Sequence, residues 1–443
     1  MKTEKLQIDA LAYGGDGVGH LSDGRACFVA GAFPGDTVEV ALFEDKERFA
    51  RGRVESFAER SAERVKPTCP LAADGTCGGC PWAPLFYERQ LFWKRQALVD
   101  ALVHIAKFDA SKAEELVEPC VASNRTWGYR NKVEFVSGLD VAGRFTLGMH
   151  ARSSNFVPLS SCKLCDARIE KAPKALTGAL RYAMGDLDLK IERVGVRFSR
   201  RTHDTEIAIW TAPGRFPRAA MARVLSEALP VKHAGVTRVL VKGDAKKRKI
   251  AGVESLAGHG YWTERIAGRT MALSAPSFFQ VNTAQAERLV DLVMEFLEPD
   301  GLDSVLDLYS GAGTFTLPLA ERAGVVRAVE MEGSSVRDLR RNLDRNNLAA
   351  EVIGGDVERE LADLGMVDKV VVDPPRSGLG GKVVSALVAT RAARIAYVSC
   401  NPTTLARDLK GLCAAGYELV RAVPVDLFPQ TYHVETVCLL ARD

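Results

Sequence analysis

The stretch Asp303-Ser-Val-Leu-Asp-Leu-Tyr-Ser-Gly-Ala-Gly-Thr-Phe315 decides the fold of the C-terminal part of the chain. Its apolar first half predicts a buried β-strand, and its glycine-rich second half predicts a tight turn that opens a helix. The next apolar run, Val325 to Glu330, ends in a carboxylate 19 residues after Gly311. A carboxylate at that spacing can bind the hydroxyl pair of a ribose. The stretch therefore predicts a doubly wound α/β unit that binds a cofactor containing adenosine.

The residues around this turn favour S-adenosylmethionine over a nicotinamide dinucleotide. A dinucleotide fingerprint has a third glycine where this chain has Thr316, and no basic pair is present for a pyrophosphate. Asp307, inside the strand, suits a cofactor with a cationic amino-acid moiety. Asp356 ends the third predicted strand, where its carboxylate can meet an adenine amino group. Glycines that only shape an αβ turn are the alternative interpretation.

A further short strand, Ile395 to Ser399, ends at Cys400. Asn401-Pro402 then stops the strand, because proline cannot continue a β-ladder. A lone cysteine most often packs as a small apolar residue. This one stands at the carboxyl end of a predicted strand, where open α/β sheets place their chemistry. Cys400 is therefore a candidate nucleophile if the surrounding motifs support it.

The loop Asp373-Pro-Pro-Arg376 follows the fourth predicted strand and argues against two related chemistries. The prolines make the loop rigid and hold it at the reaction centre. Adenine amino-methyltransferases carry an aromatic residue directly after the prolines, where this chain has Arg376. RNA cytosine-5 methyltransferases carry a cysteine in this loop, and this loop has none.

The first 58 residues predict a separate all-β unit. Five short apolar runs alternate with glycine-containing turns, a pattern typical of an OB-like barrel. The motifs Gly14-Gly-Asp-Gly-Val-Gly19 and Val29-Ala-Gly-Ala-Phe-Pro-Gly-Asp36 resemble the TRAM domain, an RNA-binding module. The first 60 residues hold 8 basic and 11 acidic side chains, so we expect this unit to position the chain more than to hold phosphates.

Three cysteines within 12 residues, Cys69, Cys77 and Cys80, indicate a metal site. A fourth ligand must come from elsewhere, and Cys162 and Cys165 both offer a thiol. Zinc ribbons usually have their cysteine pairs about 15–20 residues apart, far closer than here. Three nearby thiolates and one distant thiolate favour an iron–sulfur cluster, with zinc as the alternative. Ten cysteines in 443 residues are too few for a disulfide scaffold, and we expect a reducing compartment.

Basic residues are concentrated in the middle of the chain. The whole chain has a net charge of +3, but Val121 to Thr270 holds 27 Lys and Arg against 13 Asp and Glu, a net charge of +14. This distribution indicates a polyanionic partner, and an unevenly charged solvated surface is the alternative. Within the segment, Thr126-Trp-Gly-Tyr-Arg-Asn-Lys-Val-Glu-Phe135 interleaves aromatic and basic residues. Such a composition suits single-stranded RNA, or equally a strand with an amphipathic edge.

These patterns predict three domains. Residues 1–60 form the OB-like TRAM barrel, residues 61–270 a basic α+β unit that holds the metal site and binds RNA, and residues 271–443 a class I Rossmann-like α/β methyltransferase domain. Leu85 to Lys107 has helical periodicity. No run of about 18 apolar residues and no apolar leader occur, so we expect a cytoplasmic protein without a membrane partner. We also expect a monomer.

Together these motifs resemble those of the RNA uracil-5-methyltransferases, the bacterial RumA/TrmA type, over nearly the whole chain. The most specific pieces are Ser277-Phe-Phe-Gln-Val-Asn282, the stretch at 303–315, Val372-Asp-Pro-Pro-Arg-Ser-Gly378, Val398-Ser-Cys-Asn-Pro402 and His433-Val-Glu435. The cysteine set is similar to that of the 23S rRNA branch with its [4Fe-4S] cluster, which the tRNA branch typically lacks. The resemblance implies methylation of C5 of a specific uridine in RNA, with 23S rRNA as the expected partner and S-adenosylmethionine as the donor.

The resemblance also implies roles for single residues. Cys400 would be the nucleophile and Glu435 the general base. The positions that would contact the cofactor are Gln280, Tyr309, Thr314, Glu330, Asp356 and Asp373. The thiolates that would hold the cluster are Cys69, Cys77, Cys80 and Cys162, with Cys165 as a rival to Cys162.

Uracil chemistry explains why a cysteine and a carboxylate are needed. Uracil C5 attacks a sulfonium methyl only after a thiolate has added to C6. C5 then still holds its hydrogen, which a carboxylate must remove from a base flipped out of its stack. The alternatives are a tRNA uracil-5-methyltransferase, an RNA cytosine-5 methyltransferase and a non-catalytic RNA-binding iron–sulfur sensor.

Overall fold

The computed structural model describes residues 3–151, 155–243 and 249–442. A small closed barrel comes first, a seven-stranded sheet follows, and a second seven-stranded sheet forms the C-terminal unit. This order confirms the predicted OB-like barrel, α+β unit and α/β unit. Within the described ranges, no helix combines the length and the apolar character needed to cross a membrane.

Five strands form the N-terminal barrel: β1 (Thr3–Leu11), β2 (Gly17–His20), β3 (Ala26–Ala30), β4 (Thr37–Asp45) and β5 (Phe49–Glu59). They close in the order β1-β2-β3-β5-β4. Leu6, Ile8 and Val38 are among the side chains that fill the interior. A Cβ on Gly17 would lie 2.6 Å from the carbonyl oxygen of a neighbouring segment, and one on Gly19 would lie 2.4 Å from another. Glycine is therefore required at these two positions, because the neighbouring backbone lies too close for a side chain.

Three helices precede the middle sheet: α1 (Pro70–Ala73), α2 (Tyr87–Ala101), which continues through a π-helical turn (Leu102–Ala106), and α3 (Ala110–Leu116). The helix predicted at 85–107 is confirmed. The strands and helices of the middle sheet are β6 (Lys132–Leu139), β7 (Phe145–His150), β8 (Phe156–Pro158), α4 (Ala172–Met184), β9 (Ile191–Phe198), β10 (Thr205–Thr211), α5 (Arg218–Ser226), β11 (Gly235–Lys242) and β12 (Lys249–Ala257).

The middle sheet has the order β12-β11-β10-β9-β6-β7-β8. Its pairs are antiparallel except for β10 with β11. Leu176 of α4 and Met221 of α5 pack with Val194 and Ile207 in one apolar core. The sheet therefore has one face covered by helices, as expected for an α+β unit.

A hairpin, β13 (Trp262–Ile266) and β14 (Arg269–Leu273), leads into the C-terminal unit. The elements of that unit are α6 (Thr283–Leu297), β15 (Ser304–Leu308), α7 (Thr316–Ala320), β16 (Val325–Glu330), α8 (Gly333–Arg345), β17 (Glu351–Gly354), α9 (Val357–Glu360) with a 3-10 turn (Leu361–Asp363), β18 (Lys369–Val372), α10 (Gly380–Ala389), β19 (Arg394–Ser399), α11 (Pro402–Ala414), β20 (Glu418–Val425) and β21 (Glu435–Ala441).

The C-terminal sheet has the order β17-β16-β15-β18-β19-β21-β20. The first five strands are parallel, and β21 runs antiparallel to both of its neighbours. The strand order reverses direction at β15, between β16 and β18. Open α/β sheets bind their ligands outside the carboxyl ends of the strands at such a switch point.

Two segments that the sequence assigns to the middle unit pack on the C-terminal sheet. Leu98 of α2 lies in the same apolar core as Leu306 and Val370. Trp262 of the β13–β14 hairpin lies in a second core with Val305. The β13–β14 hairpin therefore spans the predicted domain boundary at residue 270. A two-stranded hairpin is stable only when it packs against a larger unit, and this one packs on the C-terminal sheet.

Candidate active site

Cys400 lies where β19 ends and α11 begins. The strand is buried on both faces, and it pairs with β18 on one edge and β21 on the other. Asn401 caps α11 by accepting a hydrogen bond from the backbone N–H of Thr403, and Pro402 occupies the first turn. The predicted strand and its break are confirmed. Cys400 is left partly exposed at the carboxyl edge of the sheet.

Three ionisable side chains act on the Cys400 thiol. Burial raises the pKa of Cys400 to about 11, and the carboxyl groups of Glu435 and Asp373 push it in the same direction. The Arg376 guanidinium opposes them and lowers the pKa. Residues from two other motifs therefore lie within electrostatic reach of the Cys400 thiol.

The carboxyl groups of this site hold their protons tightly. Glu435 is 4% exposed, and burial together with the nearby Asp373 raises its pKa well above the ordinary value, while Arg376 lowers it. Burial and the neighbouring Asp307 raise the pKa of Asp373 to about 7. A positive charge bound among these groups would favour their ionised forms. This edge of the sheet is therefore suited to a cationic ligand.

Asp307 lies in the centre of β15 and is fully buried. Its Oδ2 accepts a hydrogen bond of 2.5 Å from the Thr316 hydroxyl, and within the described ranges Oδ1 has no partner. Burial raises the pKa of Asp307 to about 7, and the hydrogen bond from Thr316 lowers it. Buried polar atoms are nearly always hydrogen-bonded, so the free oxygen indicates a ligand with a donor group.

Glu330 ends β16 and holds the glycine-rich turn. Its Oε2 accepts from the N–H of Gly311 at 2.8 Å, and its Oε1 accepts from the N–H of Glu332 at 2.6 Å. Gly311 and Gly313 both have positive φ angles, of 57° and 101°. A turn of this backbone conformation needs glycine, so the predicted strand, turn and helix are confirmed.

The other predicted cofactor positions lie around the same edge. Tyr309 directly follows β15 with a φ of 63°, Thr314 lies in the turn, and Asp356 caps α9 by accepting from the N–H of Glu358. Gln280 lies between β14 and α6, and its buried Oε1 has no partner among the described residues. Each position has a side chain that can bind the polar parts of a nucleoside or an amino acid.

Tyr13 belongs to the centre although the sequence did not predict it. It lies in the turn between β1 and β2, and its hydroxyl donates a 3.1 Å hydrogen bond to the carbonyl oxygen of Cys400. Its ring packs edge to face on Tyr432, with centroids 5.9 Å apart. The sequence signal that could have identified Tyr13 is an aromatic residue directly before the Gly14 motif. The sequence of the first domain by itself indicates only an RNA-binding or positioning unit.

Arg376 is a second residue whose role in the site the sequence did not predict. In the sequence, Arg376 stands where adenine amino-methyltransferases carry an aromatic residue. Its carbonyl oxygen accepts from the side chains of Asn401 and Thr404, which fixes the loop against α11. Its charge lowers the pKa of both Cys400 and Glu435.

A buried ion pair supports the loop that leads to Glu435. Lys94 of α2 binds Asp426 with 2.5 Å between Nζ and Oδ1, and the Tyr87 hydroxyl donates to the other oxygen at 2.8 Å. His433, in the same loop, packs against Tyr432 with ring centroids 4.3 Å apart, and burial lowers its pKa to about 4. The imidazole is therefore neutral at pH 7.

Cys69, Cys77, Cys80 and Cys162 line one cavity, together with Trp127 and Arg130. Burial raises the pKa of Cys80, and the thiols of Cys162, Cys77 and Cys69 add to this effect. Cys165 is buried outside the lining and shares a hydrogen bond with the thiol of Cys162. Across the described ranges, no group of three or more His, Cys, Asp or Glu is arranged to hold a metal ion. The four predicted cysteines therefore share one cavity.

Tyr129 and Phe135 do not provide the exposed stacking surface that the RNA interpretation of 126–135 requires. Tyr129 is 7% exposed and donates its hydroxyl to the carbonyl oxygen of Pro429, and Phe135 is fully buried. Lys132 forms a 2.8 Å ion pair with Glu134 on β6. These side chains pack the middle unit against the C-terminal loop, which agrees with the alternative of an amphipathic strand from Lys132 onward.

Two family patterns match the chain. That of the tRNA (Uracil-5-)-methyltransferases matches residues 223–354 and 357–443, and that of the TRAM domain matches residues 2–54. The matches agree with the barrel at the N-terminus and the α/β sheet at the C-terminus. The methyltransferase match also covers Tyr309, Glu330, Asp373, Cys400 and Glu435 of the site, whereas Asp356 falls in the short gap between its two matched ranges.

Relatives extend the similarity over the full length. An uncharacterized RNA methyltransferase of Gloeobacter violaceus is 37% identical over 100% of this chain and 97% of that protein. One of Thermotoga maritima is 32% identical over 99% of each chain. Among solved structures, the Pyrococcus abyssi tRNA (uracil-54, C5)-methyltransferase in complex with S-adenosyl-L-homocysteine is 26% identical, with a TM-score of 0.77 over 99% of each chain.

Proposed function

The chain belongs to the RNA (uracil-5-)-methyltransferase family and depends on S-adenosylmethionine, and from this membership we propose that Cys400 forms a covalent adduct with the uracil it methylates. The observation that carries the proposal is the grouping of Cys400 with Glu435, Asp373 and Arg376 at the carboxyl edge of the sheet. This edge is where an α/β sheet binds its ligands.

The Cys400 thiolate adds to C6 of uracil and forms an S–C6 bond, which places negative charge on O4 and C5. Arg376 favours the thiolate because it lowers the pKa of Cys400, although burial keeps that pKa at about 11. Bound S-adenosylmethionine would supply the methyl group to C5 and leave as S-adenosylhomocysteine, and its positive charge would act on the thiol in the same sense as Arg376.

Glu435 then accepts the proton from C5, and the S–C6 bond breaks to release Cys400 and 5-methyluridine. The carboxylate is buried beside Asp373, and Arg376 favours its ionised form. His433 is neutral and could also accept a proton, but burial lowers its pKa to about 4, so it is a weaker base than an ionised carboxylate in this pocket.

The cofactor residues are proposed from the same geometry. Glu330 holds the glycine turn and keeps lone pairs for a ribose. The unpaired Oδ1 of Asp307 and Oε1 of Gln280 can accept from a cationic amino group. Tyr309, Thr314, Asp356 and Asp373 would complete the contacts, with Asp356 toward the adenine.

We predict that Tyr13→Phe lowers kcat by about three- to tenfold and leaves the KM values for RNA and S-adenosylmethionine nearly unchanged. The change removes one hydrogen bond to the Cys400 backbone, worth about 0.5–1.5 kcal/mol, and keeps the ring on Tyr432. Tyr13 is thus a positioning residue. Steady-state kinetics would measure the effect. Tyr182→Phe, at an exposed tyrosine of α4, is the matched control. Equal kcat values for the two variants would remove Tyr13 from the mechanism.

We propose a [4Fe-4S] cluster bound by Cys69, Cys77, Cys80 and Cys162. The support is the donor set, four cysteines lining one cavity beside the cationic Arg130, which is suited to a cluster of net negative charge. Cys162 is preferred to Cys165 because it lines this cavity and Cys165 does not. The cluster would tie the segment around α1 to the segment between β8 and α4.

Anaerobically purified protein should be brown and contain about four iron atoms per chain. Cys77→Ser should abolish the broad visible absorption and the iron, because a serine hydroxyl replaces one thiolate ligand. Cys165→Ser should keep both, as should Cys413→Ser, a matched change outside the cavity. Colourless protein with bound zinc would contradict the cluster.

The RNA substrate is proposed to be 23S rRNA, because the cysteine set resembles that branch. A tRNA substrate is the second candidate, favoured by the full-length similarity to a tRNA (uracil-54, C5)-methyltransferase. Mapping 5-methyluridine in rRNA and tRNA from cells lacking the protein distinguishes the two. Loss of one modified position in 23S rRNA supports the first, and loss in tRNA supports the second. We further propose that the protein acts as a monomer in the cytoplasm.

A further inference from the structure

A second cavity, of about 210 Å³, lies between the middle sheet and the start of α6. We call it the arginine pocket, and the lining residues that matter here are Arg125, Arg130, Arg200, Arg201, Asn131 and Thr283. None of the residues assigned to methyl transfer lines it. At about 30 Å³ per water molecule, the volume suits a phosphate group with part of a sugar.

The pocket has an excess of positive charge. Arg200 pairs with Asp166, and Arg201 pairs with Glu287. In the part of the chain that the structure describes, Arg125 and Arg130 form no ion pair. The remaining acid of the lining is Glu264, which is buried; its two oxygens accept from the hydroxyls of Ser199 at 2.7 Å and Thr283 at 2.9 Å.

Two buried polar atoms of the lining lack a hydrogen-bond partner within the described ranges: Nε of Arg130, a donor, and Oδ1 of Asn131, an acceptor. Asn131 is 7% exposed, and its Nδ2 donates to the Gln280 carbonyl and to the Thr283 hydroxyl, both at 2.9 Å. These bonds fix the orientation of the amide. The pocket therefore lacks one acceptor and one donor, which a ligand would supply.

The start of α6 adds to the attraction for an anion. Asn282 occupies the N-cap position but makes no side-chain capping bond. Thr283 and Ala284, the first residues of the helix, line the pocket. The N–H groups of a first helical turn have no partner within the helix and favour negative charge.

We propose that the arginine pocket binds one phosphodiester group of the RNA substrate, and that the 2′-hydroxyl of the adjoining ribose donates to Oδ1 of Asn131. The phosphate supplies the acceptors that Arg125, Arg130 and the start of α6 lack. The 2′-hydroxyl supplies the missing donor and is the group that distinguishes RNA from DNA. The proposal rests on the proposed function, since the ligand is the substrate RNA. The side chain of Asn131 donates a hydrogen bond to the backbone carbonyl of Gln280. Gln280 is a proposed cofactor contact, so a single residue would separate the RNA phosphate site from the cofactor site.

The first test is Arg125→Glu in the full-length protein, assayed with an RNA fragment containing the target uridine. Arg125 is exposed, so the fold should be kept. The KM for RNA should rise about 10- to 100-fold, as for loss of a charged hydrogen bond, while kcat and the KM for S-adenosylmethionine stay unchanged. The slope of the logarithm of the RNA-binding constant against the logarithm of salt concentration should decrease by about the contribution of one phosphate contact. Arg215→Glu, an exposed arginine of the same basic segment outside the pocket, is the matched control.

The second test locates the contact on the RNA. Single neutral methylphosphonate linkages and single 2′-deoxy sugars are placed in turn along the fragment. One linkage and its adjoining sugar should weaken binding to the unaltered protein. The linkage effect should vanish in Arg125→Glu, because the two changes remove the same contact. A linkage effect that persists in Arg125→Glu would overturn the proposal.

Two outcomes separate the proposal from its alternatives. If uridine 5′-monophosphate binds as tightly as the fragment and Arg125→Glu abolishes that binding, the pocket is a free-nucleotide site and the proposal is wrong. If Arg125→Glu behaves as Arg215→Glu while both form the adduct with 5-fluorouridine RNA, only the pocket proposal fails. If no variant and no unaltered protein forms that adduct, the proposed function fails instead.

Discussion

Cys400→Ala should reduce methyl transfer by at least about 10⁴-fold, because without the thiolate C5 of uracil does not attack a methyl group. Binding of S-adenosylmethionine and of RNA should stay within about threefold of the unaltered values, since a small, partly exposed side chain is removed at the end of β19. Transfer of a radioactive methyl group to RNA measures the first quantity. Equilibrium binding of each ligand measures the second.

Cys413→Ala is the control for this experiment. Cys413 is also partly exposed and lies near the end of α11, away from the carboxyl edge of the sheet. It should keep full activity. Residual turnover of Cys400→Ala within about tenfold of the unaltered enzyme would show that the uracil mechanism is wrong.

Glu435→Gln should give a different failure from Cys400→Ala. The amide has the same shape but does not accept the proton, so addition and methyl transfer proceed while release stops. Turnover should fall by about 10²- to 10⁴-fold, the usual contribution of a general base. A covalent complex of protein and methylated RNA should accumulate as a slow band on a denaturing gel.

Glu418→Gln serves as the matched change, because Glu418 is an exposed residue at the start of β20. It should turn over normally and leave no slow band. If Glu435→Gln also turns over normally, the proton acceptor is another group, and His433 or Asp373 would be tested next. Loss of activity without any slow band would place Glu435 before the methyl transfer step.

The sequence predicted the fold well because its strongest patterns are local. The strand, glycine turn and helix at 303–322 form through short-range apolar periodicity and positive φ angles at Gly311 and Gly313. The barrel follows from regularly spaced turns. The helix at 85–107 was predicted, but its packing on the C-terminal core was not, since periodicity identifies a buried face without naming its partner.

The candidate site was predicted only where motifs end strands of the same sheet. Cys400, Asp373 and Glu435 meet because neighbouring strands bring them to one edge. Tyr13 was missed because its contact with Cys400 joins residues 387 positions apart in two domains. For the segment at 126–135 the sequence left two interpretations open, because composition does not tell a buried tyrosine from a stacking one.

The central claim is that Cys400 bonds to C6 of a uridine that then receives a methyl group at C5. RNA with 5-fluorouridine at the target position, incubated with the protein and S-adenosylmethionine, tests it most directly, because fluorine cannot leave as a cation and the adduct cannot resolve. Mass spectrometry of the digested adduct should find a methylated fluorouridine attached to the peptide containing Cys400. Attachment to another cysteine, or no adduct under conditions in which uridine RNA is methylated, would contradict the mechanism.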